Sequence, residues 1–376
     1  MKPFQFRPEI SDISTLVIKV GSRILTSEEH VPHSRRIRML ADTIAQLNQA
    51  GIRTALVSSG AIAHGMLALN LSKRPKTIPM KQACASIGQI RLMHSYETCF
   101  TRHNLHIGQV LLTWDDLRNK KRYLNLRNTL FQLFDCNAIP IINENDSVGV
   151  EEIKFGENDT LGAQIAMLVQ ADVFVNLTDI NGLYDKNPKA EPDAKHIPVV
   201  ERITPTIMKY AMGSSTEISV GGMITKLKAA DIVTKAGMTA VIGDGFSKSL
   251  IDVLCDPQAG TVFLPSKKIM ASRLRWIAFT GQSSGTLTID AGAASAILKQ
   301  GKSLLPAGIT HYSGTFKAGD MVDILDENNN RVARGLVNYA ADEIQTIQGR
   351  HTSELAKRIG QKTFDEVIHR DNLVVI

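Results

Sequence analysis

The stretch that decides the fold is residues 141–169, IINENDSVGVEEIKFGENDTLGAQIAMLV. It begins as an apolar run, becomes polar at Asn143, and opens a helix near Asp159. Two clusters of amide and acidic residues lie inside it, and the segment between them, 147–158, has the pattern of a small hairpin. Two Asx turns and a helix cap would explain part of this polarity. So many polar groups beside a buried strand also favour a binding site.

Composition limits the class of protein. The chain has 376 residues, of which 43% are hydrophobic, a size and balance typical of a globular protein with two or three domains. No apolar run approaches the ~18 residues of a membrane span, and the N-terminus lacks a signal-peptide pattern, so a cytoplasmic location is predicted. The four cysteines form no CxxC pair, which argues against a disulfide framework or a structural zinc site. The net charge of +6 is diffuse and is compatible with an anionic substrate.

Apolar strands and amphipathic helices alternate along the first two thirds of the chain, which predicts a mainly parallel α/β sheet. Ligands of such sheets bind at the carboxyl ends of the strands. The predicted strands are 15–20, 52–57, 106–113, 138–142, 172–178 and 238–243, and the predicted helices are 36–50, 78–102, 122–135, a helix from Asp159, 204–212 and 223–237.

The pattern changes after residue 262. We expect a catalytic domain over 1–262, a linker over 263–275 and a small, mostly β domain over 276–376. In this last part GTLTID is a short strand, Asp290 caps a helix, and the Asn-rich turn 328–330 joins a hairpin.

Two lysines stand in unusual places. Lys19 lies near the end of the apolar strand TLVIKV, where an ammonium group is costly to bury without a partner. An edge lysine that reaches solvent would be the simpler interpretation. Lys226 lies in the first turn of a helix behind Gly221 and Gly222, where the helix dipole disfavours a cation. Both lysines make more sense if they face an anion.

The sequence contains no P-loop, no HExxH, no GxSxG and no protein-kinase motif, and no GxGxxG follows a strand directly. Two distant lysines, glycine-rich loops and nearby carboxylates suit phosphoryl transfer, in which magnesium bridges phosphate oxygens. Asp159 could hold both ammonium groups. If the acceptor is a carboxylate, which is already ionised near neutral pH, the reaction needs no general base.

Six motifs in order carry a resemblance: VIKVGS, VSSGAIAHG, IINENDSV, FGENDTLGAQIA, LTDINGLY and GGMITKLKAA. Over residues 14–262 the chain resembles the amino acid kinase family, and its tail is similar to a PUA domain. The resemblance implies a three-layer α/β/α sandwich with a mainly parallel central sheet, plus a PUA-like domain. It also implies ATP-dependent phosphorylation of the γ-carboxylate of L-glutamate, with Mg2+, as the first step of proline synthesis.

The resemblance also implies roles for individual residues. Lys19 and Lys226 would contact ATP phosphates, and Asp159 would organise them. The implied substrate-binding residues are Ser59, Gly60, Asn143, Asp146 and Asn158. The implied nucleotide-binding residues are Lys19, Gly21, Thr178, Asp179, Gly221, Gly222, Met223, Thr225 and Lys226. Val220 departs from the threonine that is common in the family, so a hydroxyl contact is lost there.

Several partners follow from the resemblance: proline as feedback inhibitor, a γ-glutamyl phosphate reductase that takes the labile product, and a homo-oligomeric assembly. Two alternatives stay open. One is a related kinase that acts on a different carboxylate or phosphate. The other is an RNA-binding protein, since PUA domains bind RNA in other proteins; residues 273–376 carry 12 Lys or Arg against 11 Asp or Glu, which weakens it.

Overall fold

The computed structural model describes residues 4–26, 33–149, 158–188, 190–212, 222–266, 274, 277–278, 283–351 and 364–375. The chain divides into two compact units. The first consists of residues 1–116 and 123–269, and the second of residues 117–122 and 270–376. Most of the predicted hairpin 147–158, Gly221 and most of the predicted linker lie outside the described residues.

A mainly parallel sheet forms the centre of the first unit. Among the described residues its eight strands run in the order β3-β4-β2-β1-β5-β9-β10-β8. Their bounds are β1 Thr15–Val20, β2 Arg53–Ser58, β3 His106–Leu112, β4 Ala138–Glu144, β5 Val173–Thr178, β8 Val199–Val200, β9 Thr239–Asp244 and β10 Thr261–Phe263. Strands β1, β2, β3, β4, β5 and β9 are mutually parallel, so their carboxyl ends meet at one edge. This arrangement confirms the predicted fold class.

Helices cover this sheet and complete the three-layer sandwich. Their bounds are α1 Ser22–Thr26, α2 His33–Gln49, α3 Ala61–Ala68, α4 Ile78–Thr101, α5 Trp114–Arg118, α6 Lys120–Asp135, α7 Asn158–Val169, α8 Pro205–Met212, α9 Met223–Lys235 and α10 Leu250–Cys255. Helices α7 and α9 pack against each other and against β1, β5 and β9, whereas α2 packs against β2, α4 and α10. Helix α7 is buried almost all round because it lies between the sheet and its neighbours.

Two glycines let helices α3 and α4 cross in unusually close contact. A Cβ atom at Gly65 would lie 1.8 Å from the carbonyl oxygen of Cys84, and one at Gly88 would lie 1.8 Å from that of Ala61. No side chain fits at either position without a backbone shift. The crossing fixes α4, and therefore Gln89, beside the start of α3.

The structure differs from the sequence predictions after β5. The polar, proline-containing segment after β5 has the composition of a loop, but it contains a short antiparallel pair, β6 Leu183–Tyr184 and β7 His196–Ile197. Strand β9 was predicted to be the last of this domain, which is wrong, since α10 and β10 follow it. Strand β10 pairs antiparallel with β9 and parallel with β8. Strands of two or three residues are too short to give a period that sequence patterns could detect.

In its described residues the second unit has a five-stranded sheet in the order β12-β11-β13-β14-β15. Its elements are β11 Gly285–Ile289, α11 Ala291–Gln300, β12 Ile309–Gly314, β13 Met321–Leu325, β14 Arg331–Leu336, α12 Ala341–Ile347 and β15 Leu373–Val375. As predicted, Asp290 caps α11, accepting a hydrogen bond from the backbone N–H of Ala293 at 2.7 Å. The predicted hairpin is β13–β14. A separate apolar core lies between this sheet and its helices.

None of the helices in the described part of the chain combines the length and apolarity that a membrane span requires.

Candidate active site

A buried carboxylate between two lysines forms the centre of the sheet edge. The ammonium group of Lys19 lies 2.5 Å from Oδ1 of Asp159, and that of Lys226 lies 3.3 Å from Oδ2. Lys19, Asp159 and Lys226 are exposed by only 6%, 2% and 7%. The predicted grouping of these three residues is what the structure shows, and Lys19 is not an edge lysine that reaches solvent.

The positions of the three charges follow from local structure. Lys19 is the next-to-last residue of β1, a central strand whose residues 16–20 are all buried. Asp159 lies in the first turn of α7, where the helix dipole favours a carboxylate. Lys226 lies in the first turn of α9, behind the N-cap Gly222. Helices α7 and α9 are neighbours, so their first turns meet above the end of β1.

Two further side chains complete the hydrogen bonds of Asp159. Its Oδ1 accepts from Nδ2 of Asn176 at 3.0 Å, and its Oδ2 accepts from Oγ1 of Thr225 at 2.7 Å. Each carboxylate oxygen thus has one ammonium and one neutral donor. A carboxylate that is removed from water needs such a full set of hydrogen-bond donors to stay ionised.

Burial by itself would raise the pKa of the Asp159 carboxyl, but the charges of Lys19 and Lys226 outweigh it and hold that pKa well below its usual range. Burial lowers the pKa of the Lys226 ammonium. Asp159 opposes that shift and Lys19 adds to it. The cluster therefore holds a net positive charge in a place where water has little access, which favours an incoming anion.

This pKa shift predicts how acid affects stability. A carboxyl whose pKa is depressed by folding contributes stability above its ordinary pKa of ~3.9, and the contribution is lost as the pH falls below that value. Replacing Asp159 with asparagine removes the titrating group. The difference in melting temperature between wild type and Asp159→Asn should therefore be constant from about pH 7 to pH 5 and should narrow below about pH 4. Scanning calorimetry measures it, and a constant difference down to pH 3 would contradict the assignment.

A second polar group lies next to the first, because Asn158 precedes Asp159 in the chain. Nδ2 of Asn158 donates to Oγ of Ser59 at 2.6 Å and to Oδ1 of Asn143 at 3.2 Å. Asn143 is the next-to-last residue of β4 and Ser59 follows β2, so parallel strands bring both to the same edge. Three of the residues predicted to bind the substrate thus lie together.

The other two predicted substrate residues flank this group. Gly60 is the N-cap of α3 and has φ +109°, a left-handed conformation that glycine adopts without strain. Asp146 lies in a turn directly after β4, where the N–H groups of Val148 and Gly149 both donate to the carbonyl of Asn145. The turn begins at the same strand end that presents Asn143.

The residues predicted to bind the nucleotide lie on the other side of Lys19. Thr178 ends β5, and its hydroxyl donates to Asp179 at 3.1 Å. The Asp179 carboxylate also accepts from Arg23 at 2.9 Å. Burial would raise the pKa of Asp179, but the hydrogen bond from Arg23 leads the effects that lower it. The backbone N–H of Gly21 points to the carbonyl of Leu177, at 3.4 Å.

At the start of α9 the structure describes Gly222, Met223 and Thr225, whereas Val220 and Gly221 lie outside the described residues. Oγ1 of Thr225 lies 2.8 Å from the carbonyl oxygen of Gly222 and 2.7 Å from Asp159 Oδ2, so its single hydrogen is shared between these two acceptors. The same hydroxyl bonds Asp159, so the side chain of Thr225 is engaged within the charge cluster.

Three residues of this region were not predicted from the sequence: Asn176, Gln89 and Arg23. Asn176 is fully buried in β5 and pairs in register with Lys19. A single amide inside the apolar strand VFVNLT was the available signal. Gln89 is buried on α4 and accepts from Asn143 at 2.9 Å. Nothing in the sequence around Gln89 or around Arg23 marked either residue as part of a site.

The arrangement is that of a phosphotransferase of a known family. A model of the amino acid kinase family matches residues 14–244, and a model of the PUA domain matches residues 285–359. The chain belongs to the amino acid kinase family. Its sequence contains no P-loop motif. The site is built instead from strand ends and helix starts at the sheet edge.

Two relatives match this chain over nearly its full length, and both are glutamate 5-kinases. The glutamate 5-kinase of Syntrophus aciditrophicus (strain SB) is 45% identical over 368 residues, which are 98% of this chain and 95% of that protein. The glutamate 5-kinase of Thermoanaerobacter sp. (strain X514) is 45% identical over 362 residues, 96% of this chain and 97% of that protein. Among solved structures, the carbamate kinase from Giardia lamblia bound to AMP-PNP is 14% identical with a TM-score of 0.47, and the match covers 67% of this chain and 99% of that one.

Proposed function

We propose that this protein transfers the γ-phosphoryl group of ATP to the γ-carboxylate of L-glutamate and forms γ-glutamyl phosphate. The observation that carries the proposal is the buried cluster of Lys19, Asp159 and Lys226 at the carboxyl ends of the strands. Membership of the amino acid kinase family supports the use of ATP. The names of the full-length relatives support glutamate as the acceptor.

The chemistry of the cluster suits this reaction. Phosphoryl transfer spreads negative charge over the moving group, and catalysis consists mainly of positioning and cationic stabilisation. Lys19 and Lys226 contact different oxygens of Asp159, so their ammonium groups can hold the donor and the moving phosphoryl group. The glutamate carboxylate is already ionised and needs no base. The role of Asp159 is then to fix the two lysines.

The assigned roles follow the two sides of the cluster. Ser59, Gly60, Asn143, Asp146 and Asn158 bind glutamate. Gly21, Thr178, Asp179, Gly221, Gly222 and Met223 bind the nucleotide together with the two lysines. Thr225 was predicted to bind the nucleotide, and its hydrogen bond to Asp159 supports a second task, that of orienting the carboxylate.

Magnesium enters this proposal as part of the substrate. Among the residues that the structure describes, no three His, Cys, Asp or Glu side chains are grouped so that they could hold a metal ion. We assign Mg2+ to the phosphate oxygens of ATP, a form of binding in which the ion keeps several waters. The net positive charge of the lysine cluster attracts the anionic phosphate groups of ATP rather than a metal cation.

The test of the proposed function is an ADP-release assay with ATP and one of four acceptors: glutamate, aspartate, N-acetylglutamate or carbamate. Hydroxylamine added to the reaction traps an acyl phosphate as the hydroxamate. We expect substantial rates of ADP release and hydroxamate formation only when glutamate is the acceptor. A faster reaction with another acceptor would replace the proposal by the related-kinase alternative.

The turn after β4 gives a prediction about substrate binding. Replacing Asp146 with alanine should raise the KM for glutamate by about tenfold or more, because a charged hydrogen-bonding partner of the substrate is worth about 1.5–3 kcal/mol. The KM for ATP should change little. Initial rates with each substrate varied in turn measure both constants. An equal rise in the two KM values would remove Asp146 from the glutamate site.

The C-terminal unit gives a second prediction. All residues assigned to the reaction lie before residue 227, so a chain shortened to residues 1–272 should keep its ATP-dependent activity towards glutamate. Circular dichroism checks that the truncated protein is folded, and the ADP-release assay measures its activity. A folded truncation without activity would contradict the proposed boundaries of 1–262, 263–275 and 276–376.

Other predictions from the sequence remain proposals. They are feedback inhibition by proline, transfer of the product to a γ-glutamyl phosphate reductase, homo-oligomeric assembly, RNA binding by the C-terminal domain and a cytoplasmic location. The near balance of charges over residues 273–376 gives RNA binding little support.

A further inference from the structure

Three carboxamides form a chain of hydrogen bonds beside the charge cluster, which we call the amide relay: the buried Gln89 and Asn143, and the half-buried Asn158. Nδ2 of Asn143 donates to Oε1 of Gln89 at 2.9 Å, and Nδ2 of Asn158 donates to Oδ1 of Asn143 at 3.2 Å. The three residues come from α4, β4 and α7. The relay therefore connects a helix outside the described charge cluster to the residue next to Asp159.

Backbone groups fix the orientation of the relay. The Nδ2 group of Asn158 also faces the carbonyl of Ser58 at 3.4 Å, and a carbonyl can only accept. The Oδ1 of Asn143 accepts from the N–H of Glu144 at 2.9 Å, and that group can only donate. The amide of Asn143 must then turn its NH2 group towards Gln89, and Oε1 of Gln89 accepts the hydrogen bond. Reversing any one amide would place like groups against each other.

This orientation leaves the Oδ1 of Asn158 as a buried acceptor. Within the described part of the chain it has no hydrogen-bond partner, and the same holds for Nε2 of Gln89. A buried polar atom without a partner costs about 1–3 kcal/mol, so it is retained where a ligand supplies the missing group. An oxygen that can only accept fits an ammonium group.

We propose that Gln89 is a positioning residue of the acceptor site. Its Oε1 holds the relay in the one orientation in which Asn158 offers its carbonyl oxygen to the α-ammonium group of the amino acid. The relay thereby favours a free amino acid over an N-acylated one, whose amide nitrogen carries no charge and a single hydrogen. The inference rests on the proposed function and deepens it.

The test compares Gln89→Leu with wild type. Leucine has a similar size but offers no oxygen, so the NH2 group of Asn143 loses its acceptor and the relay loses its fixed direction. We expect the KM for glutamate to rise about tenfold or more, since one buried hydrogen bond of this kind is worth that factor. The KM for ATP should stay the same. The preference for glutamate over N-acetylglutamate, as a ratio of kcat/KM values, should fall by a similar factor.

Two further variants separate positioning from general structure. Gln89→Glu keeps an acceptor oxygen whether or not its carboxyl is protonated, and it should restore most of the affinity for glutamate. Tyr96→Phe removes a buried hydroxyl from the same helix, bonded to Ser58 Oγ at 2.9 Å, and should lower the melting temperature without a selective change in KM. In a background of Asn158→Ala, Gln89→Leu should have little additional effect.

Any of three results would overturn the inference: equal changes in both KM values, a Gln89→Glu variant no better than Gln89→Leu, or additive effects of Gln89→Leu and Asn158→Ala. Failure of the proposed function is distinguishable from these. It would appear as wild-type protein that releases no ADP with glutamate, and it would overturn the inference as well.

Discussion

Replacing Lys226 with alanine is expected to lower kcat about 10²–10³-fold or more, the usual cost of removing one charge-stabilising group from a transition state. The Lys226 ammonium is nearly buried, lies 3.3 Å from Asp159, and stands at the start of α9. No other described side chain of that turn is a cation. The fold should persist, because Asp159 keeps Lys19, Asn176 and Thr225 as partners.

Lys228 provides a matched control, since it lies on the same helix but is exposed. Lys228→Ala should leave kcat and both KM values close to those of wild type. Steady-state kinetics and melting temperatures of the two variants give the comparison. Near-normal turnover of a folded Lys226→Ala protein would exclude Lys226 from the mechanism.

Replacing Asp159 with asparagine is expected to damage both turnover and stability. The carboxylate holds two buried ammonium groups, and removing one partner of a buried ion pair costs about 3–5 kcal/mol. The two lysines would also repel each other and leave their positions, so kcat should fall at least as far as in Lys226→Ala. Denaturant unfolding measures the stability, and the ADP-release assay measures the turnover.

The control for this variant is Asp231→Asn. Asp231 pairs with Lys235 at 2.8 Å on the surface of α9, and exposed pairs of this spacing contribute about 0.3–0.5 kcal/mol. Its loss should therefore be nearly silent. If Asp159→Asn were equally silent in turnover, Asp159 would not organise the two lysines.

Much of the site could be predicted because each residue stands at a recognisable place in the sequence. Lys19 interrupts an apolar strand, Asp159 begins a helix after a polar segment, and Lys226 follows two glycines. Parallel strands place their carboxyl ends together, so these places converge without knowledge of the detailed packing. The same reasoning applies to Asn143 and Ser59, which lie at the carboxyl ends of the parallel strands β4 and β2.

Other contacts could not be predicted because they depend on which elements become neighbours. Asn176 reaches Asp159 only because β5 lies next to β1. Gln89 reaches Asn143 only because the glycines of α3 and α4 allow those helices to cross so closely. Thr225 was assigned to the nucleotide, and only the packing of α9 against α7 reveals its bond to Asp159. The antiparallel strand β10 was too short to leave a pattern.

The sequence by itself determined the alternation of strands and helices, the separate C-terminal unit, and the residues whose charge or amide group is out of place in an apolar setting. These features are local, since periodicity and burial patterns are written in consecutive residues. Only the tertiary structure decided the order of the strands, which oxygen of Asp159 faces which lysine, and the single orientation of the amide relay. Those properties arise from distances between residues far apart in the chain, and hydrogen-bond direction depends on partners that no local pattern specifies.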